Sequence, residues 1–232
     1  MDNFQHPTHQ PAGKKVAILG GNRIPFARSN GQYANVSNSE MLTAALNGLV
    51  ERYNLQDKRL GEVVAGAVIK LSRDINLTRE CVLSTALSPQ TPAYDVSQAC
   101  ATGLQAAFAV SNKIALGLID SGIAGGVDTT SDAPLGIGDG LRKALLKLNN
   151  AKTNKDRLQA LLSINPKDLI DAPQNGEPRT KLSMGDHQAI TALEWAITRE
   201  AQDEFTFNSH KNLARAYDEG FFDDLITPFK GL

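Results

Sequence analysis

The chain has 232 residues, 41% of them hydrophobic, and a formal net charge of −1. That length holds one large core or two small domains, and the near-neutral charge excludes the global field of a nucleic-acid or membrane-surface binder. Two cysteines without a spaced Cys/His cluster exclude a disulfide scaffold and a zinc centre, and no apolar run is long enough to span a bilayer. A reducing, cytoplasmic compartment is therefore the expectation.

The first residues, MDNFQHPTHQPAGKK, are polar and carry two prolines, without the apolar run of a signal peptide or the Arg-rich bias of a transit peptide. They read as a loose tail over residues 1–13. KKVAILGG (14–21) is a short apolar run closed by glycines, the pattern of a buried strand. SNSEMLTAALNGLVERY (37–53) opens on Ser/Asn and places Met41, Leu42, Ala45, Leu46 and Leu49 at helical spacing. GEVVAGAVI (61–69) reads as a strand, LTRECVLSTAL (77–87) as a helix ended by Pro89, and PAYDVS (92–97) as a strand. ATGLQAAFAVSNKIALGL (101–118) is a helix with small or apolar residues on most faces, which predicts a sandwiched position. SGIAGGVD (121–128) is the last strand of the series. Strands alternating with helices predict a mostly parallel sheet covered by helices.

After Asp132 the character changes. The next stretch shows helical pieces and loops and no clear strand. From Arg142 to Lys181 it carries nine Lys/Arg against four Asp/Glu. Two further helical patterns then meet near Ile197 and Thr198, and the second opens on the acid-rich TREAQDEF.

The chemistry that draws attention is Cys100, in YDVSQACATGLQAAFAV. From Val96 to Val110 there is no His, Asp, Glu, Lys or Arg to assist it. On these residues alone two readings stand. Free cysteines are often inert core residues. Yet Cys100 falls where a strand passes into a helix. Catalytic groups of parallel α/β sheets gather at such strand ends, and the helix start stabilises a thiolate. Its small neighbours Ala99, Ala101 and Gly103 leave room for a substrate. Cys81, inside an amphipathic helix, reads as core.

VSQACATGLQAA resembles the nucleophile segment of the thiolases, V-N-x-x-C-x-S-G-L-Q-A, with Ser97 in place of Asn and Thr102 in place of Ser. GGNRIPFARSNG (20–31) is similar to their R-T-P-F-G/A-R-x-x-G segment, and IAGGVDTTSDAP (123–134) to their A-G-G-x-E-x-M-S-x-A-P. LSMGDH (182–187) resembles their M-G loop, and ITREAQDEFTFNSH their I-S-R-E-x-Q-D-x-x-A-x-x-S-H. These segments follow the family's order from Lys14 onward. The acyltransferase branch of fatty-acid β-oxidation is the nearest in character, and the G-L-Q-A and R-I-P-F runs favour a true thiolase over a ketoacyl synthase.

The resemblance implies a thiolase-like N-terminal half: an α/β core over 14–132 and an incomplete, helical, CoA-facing loop domain over 133–232. It implies Cys100 as the acyl-thioester nucleophile, with its backbone N–H serving an oxyanion hole, and Met184 and His187 beside the pantetheine channel. It implies acyl transfer between CoA thioesters, with the thioester as substrate and no further cofactor. The family's histidine base in G-H-P and its second cysteine in C-x-G-G-G belong to a C-terminal half. Neither motif occurs in this sequence, whose histidines are His6, His9, His187 and His210. The expected partners are therefore a second copy or a complementary C-terminal thiolase half. The alternative is a truncated, non-catalytic fragment that binds CoA or pairs with another subunit.

Overall fold

The computed structural model of the chain describes residues 13–172 and 174–232. The tail expected over 1–13 lies outside them except for Gly13. The chain forms two compact units: residues up to Asp132 together with Leu225–Leu232, and Ala133–Asp224.

The first unit is built on a three-stranded parallel sheet in the order β2-β1-β3, with β1 at Glu62–Ala65, β2 at Ala93–Asp95 and β3 at Gly122–Ala124. All four residues of β1 are buried, as a central strand covered on both faces must be. Side chains alternate across a strand, so Val63 and Ala65 enter one core and Val64 another. The first core joins them to Leu42, Leu46 and Val50 of α1 (Asn38–Arg52) and to Leu77, Cys81 and Val82 of α2 (Leu77–Leu83). On the opposite face Val64 meets Ala106 and Val110 of α3 (Thr102–Ala115). Helix α1 starts where its sequence says it should. The Ser37 hydroxyl accepts from Glu40 N–H at 3.2 Å, and the Glu40 carboxylate accepts from Ser37 N–H at 3.0 Å. The Glu40 carboxylate accepts from both the Ser37 N–H and, at 2.9 Å, the Ser37 hydroxyl, and these bonds, backbone first and then side chain, hold its carboxyl below its ordinary pKa.

Two features tie these layers together. Asp95, the last residue of β2, accepts from the first-turn N–H groups of α2 at Leu77 (3.1 Å) and Thr78 (2.7 Å) and from Lys70 Nζ at 2.9 Å. Glu62, at the start of β1 and nearly fully buried, pairs with Lys113 of α3, whose ammonium also lies 5.0 Å from the Tyr94 ring centre. The last residues of the chain return to this unit. Arg23 N–H donates to Leu225 C=O at 3.0 Å and Thr227 N–H to Arg23 C=O at 2.8 Å, while Phe229 meets Tyr33 edge-on at 5.5 Å.

Three expectations are corrected. The run at 14–21 is not a strand: no ladder forms along it, and Ile18 and Leu19 are 94% and 88% exposed. A strand needs a neighbour to take its N–H and C=O groups, and no described strand pairs with this segment or with the outer edge of β3. Helix α3 is not sandwiched. Its Ala106–Val110 side packs on the sheet, whereas Leu104, Phe108 and Leu116 are exposed. The region after Asp132, expected to hold no strand, contains a short antiparallel ribbon of β4 (Gly136–Ile137) and β5 (Ile170–Asp171).

The second unit otherwise consists of α4 (Asp139–Asn150), α5 (Asn154–Leu162), α6 (Met184–Glu194) and α7 (Arg199–Asp218). Helices α4 and α5 pack on each other and bury Ala144 and Ala160. Asp139 in the first turn of α4 pairs with Arg142 and Lys143, which hold its carboxyl below the ordinary range. Thr198 caps α7 by accepting from Ala201 N–H at 3.2 Å, and the preceding residues separate it from α6 where the sequence places the join.

Candidate active site

Beyond β2 the chain keeps to the sheet for one more bond, Val96 N–H to Ala65 C=O at 2.9 Å, and then turns sharply into α3. Within that turn Ala101 N–H donates to Gln98 C=O at 3.0 Å and Thr102 N–H to Ala99 C=O at 3.1 Å. Ala99 adopts φ +45°, a left-handed conformation that costs a residue with a Cβ roughly 1–2 kcal/mol. The hydroxyl of Thr102 accepts from Gln98 N–H at 2.9 Å and donates to Ala99 C=O at 2.7 Å. Between Ser97 and Leu104 every residue is exposed except Thr102.

Cys100 stands on this turn, exposed, immediately before α3. The N-cap of α3 is Ala101, and no side chain caps the helix, so its first-turn N–H groups have no side-chain acceptor there. A Cβ placed on Gly103 would meet nothing within 4 Å, leaving open space on the first turn. Cys81 is the opposite case. It is fully buried in α2, burial pushes its thiol pKa up, and its sulfur lies 3.5 Å from Ser39 C=O.

Gly66, one residue past β1, explains how the turn fits. A Cβ there would lie 2.0 Å from Val96 C=O and 2.7 Å from the Thr102 methyl carbon. The turn sits on the end of the sheet only because that side chain is missing.

Met184 and His187 share the first turn of α6 in the second unit. Ser183 caps this helix reciprocally with Asp186, and bonds from the Ser183 side chain and then its backbone hold the Asp186 carboxyl below its ordinary pKa. Met184 is exposed. His187 is partly exposed, with Nε2 at 3.4 Å from the Thr180 hydroxyl and 3.5 Å from a Glu177 carboxylate oxygen. Cys100 lines neither the cavity of about 380 Å³ between Arg23, Tyr33, Met41 and Asp128 nor the cleft of about 510 Å³ between Leu146, Lys152 and Asp156. Among the described residues no group of three or more His, Cys, Asp or Glu side chains is placed to hold a metal, and no helix is long and apolar enough to cross a membrane.

Residues 16–231 match the family described as thiolase, N-terminal domain. The chain belongs to the thiolase family. It is 37% identical over 219 residues to a 3-ketoacyl-CoA thiolase of Pectobacterium carotovorum, covering 94% of this chain and 50% of that protein. A 3-ketoacyl-CoA thiolase of Vibrio cholerae is likewise 37% identical over 220 residues, covering 94% and 51%. The fold matches the crystal structure of the Bacillus anthracis acetyl-CoA acetyltransferase with a TM-score of 0.76 at 24% identity, over 93% of this chain and 51% of that one. This thiolase chain therefore spans about half the length of the relatives it matches. The motif segment around Cys100 pointed to the cysteine. It did not point to the buried hydroxyl of Thr102, the conformation of Ala99 or the close approach at Gly66.

Proposed function

We propose that this thiolase chain carries the acylation half-site of a CoA-dependent acyltransferase, with Cys100 as the nucleophile. The reading rests on one observation: the sole exposed cysteine stands at the carboxyl end of the sheet, directly before the uncapped start of α3. In the proposed step the Cys100 thiolate attacks the thioester carbonyl carbon. With acetyl-CoA a new C–S bond forms to the enzyme, the bond from the acyl carbon to the CoA sulfur breaks, and CoA leaves as a thiolate that takes up a proton; with a 3-ketoacyl-CoA the thiolate attacks the 3-keto carbon instead, the C2–C3 bond breaks, and acetyl-CoA leaves as an enolate that takes up a proton at C2. Backbone N–H groups at the turn, that of Cys100 among them, steady the oxyanion as it develops. Met184 and His187 border the pantetheine arm, and the basic stretch from Arg142 to Lys181 faces the CoA phosphates. The thioester is a substrate, and no further cofactor is required. The overall reaction is 3-ketoacyl-CoA thiolysis or its synthetic reverse, of the fatty-acid β-oxidation type, in the cytoplasm.

The sequence contains neither G-H-P nor C-x-G-G-G, which favours a second reading beside the first. The chain then acts only with a partner, either a second copy or a complementary C-terminal thiolase half, or serves as a non-catalytic subunit. Intact-protein mass spectrometry after incubation with acetyl-CoA or acetoacetyl-CoA tests the proposal. An added acetyl mass that is absent in Cys100→Ala is expected. A folded chain that gains no adduct would overturn the acylation reading for this chain alone and leave the second one.

A further inference from the structure

Besides its backbone bonds, the turn that presents Cys100 has one described side-chain anchor. We propose that Thr102 is its positioning residue: a buried hydroxyl that holds the turn shut and so fixes where the Cys100 sulfur stands. The inference rests on the reading of Cys100 as the acyl-accepting nucleophile, but its structural part stands by itself.

Thr102 Oγ1 both accepts and donates within the turn, from Gln98 N–H at 2.9 Å and to Ala99 C=O at 2.7 Å. These two bonds grip the residues on the N-terminal side of Cys100, while Thr102 itself opens α3 on the other side. Ala99, between the gripped groups, is at φ +45°. A left-handed alanine persists only where its surroundings hold it there. The backbone bond from Thr102 N–H to Ala99 C=O survives any side-chain change, so the hydroxyl is the part a substitution can remove. The Thr102 methyl carbon lies where a Cβ on Gly66 would come within 2.7 Å of it. One face of the side chain is thereby seated on the sheet end, and the hydroxyl is left to the turn. Where the family pattern has Ser, Thr keeps the hydroxyl and adds this methyl contact.

Without the hydroxyl, Gln98 N–H loses its acceptor, Ala99 relaxes towards negative φ, and the Cys100 sulfur loses its fixed place on the turn. Nothing in the core changes, because the substituted side chain retains its volume. The consequence belongs to the sulfur's position rather than to the fold.

The experiment compares the full chain as wild type, Thr102→Ser and Thr102→Val. It measures amide hydrogen exchange at Gln98 and the rate of Cys100 alkylation by iodoacetamide, with acetyl transfer from acetyl-CoA alongside. In the wild type and Thr102→Ser the Gln98 amide is expected to be protected, and alkylation rates to agree within about twofold. In Thr102→Val that protection is lost and Cys100 alkylation falls about tenfold, while buried Cys81 stays unreactive and reports an intact core. Rescue by Ser but not by Val separates positioning from simple packing. A Thr102→Val chain that alkylates and protects like the wild type overturns the proposal. If Thr102→Val does not fold, the wild type decides: a Gln98 amide exchanging as fast as exposed loop amides overturns it, and a protected one upholds it. Absence of acetyl transfer in the wild type overturns the acylation reading alone and leaves the alkylation and exchange comparison to judge Thr102.

Discussion

Cys81 and Cys100 carry the same thiol in opposite surroundings, and their reactivity should diverge accordingly. Burial raises the Cys81 pKa and closes access to it, whereas Cys100 is exposed. Only a thiolate within reach of the reagent reacts. Iodoacetamide on the native chain is therefore expected to give a single adduct at Cys100, with Cys81 modified only after denaturation; peptide mapping checks this, and early labelling of Cys81 would contradict the packing of α2. The contrast was half legible in the sequence. Cys81 sits at a core position of an amphipathic pattern, and Cys100 at a strand-to-helix passage inside a recognisable motif. Neither the burial of Thr102 nor the left-handed Ala99 has a sequence signal, since both arise from how the backbone folds over the end of β1. Gly66 belongs to the same class. Its Cβ would strike the Val96 carbonyl oxygen at 2.0 Å, and a backbone atom cannot move aside cheaply. Gly66→Ala is expected to destabilise the chain by about 2 kcal/mol or more in denaturant titration and to slow Cys100 alkylation, because the turn itself is displaced.

At the level of elements, Asp95 shows how a strand end builds the next layer. Its side chain is 12% exposed and takes two first-turn N–H groups of α2 and the Lys70 ammonium. Burial alone would raise its pKa, but the bonds from Thr78 and Lys70 outweigh burial and leave it below the ordinary value. The sign follows. A carboxyl depressed in the folded state contributes its stabilisation fully above the unfolded pKa of about 4 and loses it as pH falls through the lower folded value. Asp95→Asn is thus expected to cost about 2 kcal/mol at pH 7. That difference from the wild type should shrink steadily below pH ~4 in urea titrations, and a pH-independent difference would refute the assignment. Helices were the legible elements: Ser37 with Glu40 and Thr198 mark two of their starts, and these local signals carry their own hydrogen bonds, whereas Ser183, read as part of a loop, caps α6. The run at 14–21 misled for the converse reason. Its composition suits a buried strand, but strand formation depends on a partner that composition does not reveal, and here Ile18 and Leu19 stand in solvent. The exposed face of α3 misled in the same way.

Over the whole molecule these exposed surfaces have a common consequence. Ile18, Leu19 and the Leu104–Phe108 face of α3 are apolar, and the outer edge of β3 has no described partner strand. Apolar patches and open strand edges associate, so the chain in isolation is expected to show concentration-dependent association by sedimentation; a cooperative, strictly monomeric melt would count against it. Catalysis is constrained at the same scale. In the proposed reaction the first half-reaction needs an accessible thiolate and N–H donors, the role proposed for the turn at Cys100. Turnover of acetoacetyl-CoA also needs an acid to protonate C2 of the leaving acetyl-CoA enolate and a base to take the proton from the attacking CoA thiol. From Val96 to Val110 the chain offers none, and the relatives it matches are about twice as long. Loss of general acid–base help costs roughly 10²–10⁴-fold. The isolated chain is accordingly expected to become acetylated at Cys100 yet to cleave acetoacetyl-CoA at least ~100-fold more slowly than a full-length thiolase assayed beside it. Co-expression with a separate C-terminal thiolase half bearing G-H-P and C-x-G-G-G should then restore multiple turnover. A steady-state rate within tenfold of the full-length enzyme, from the isolated chain, would mean that the proton transfers are carried by residues already present in this half.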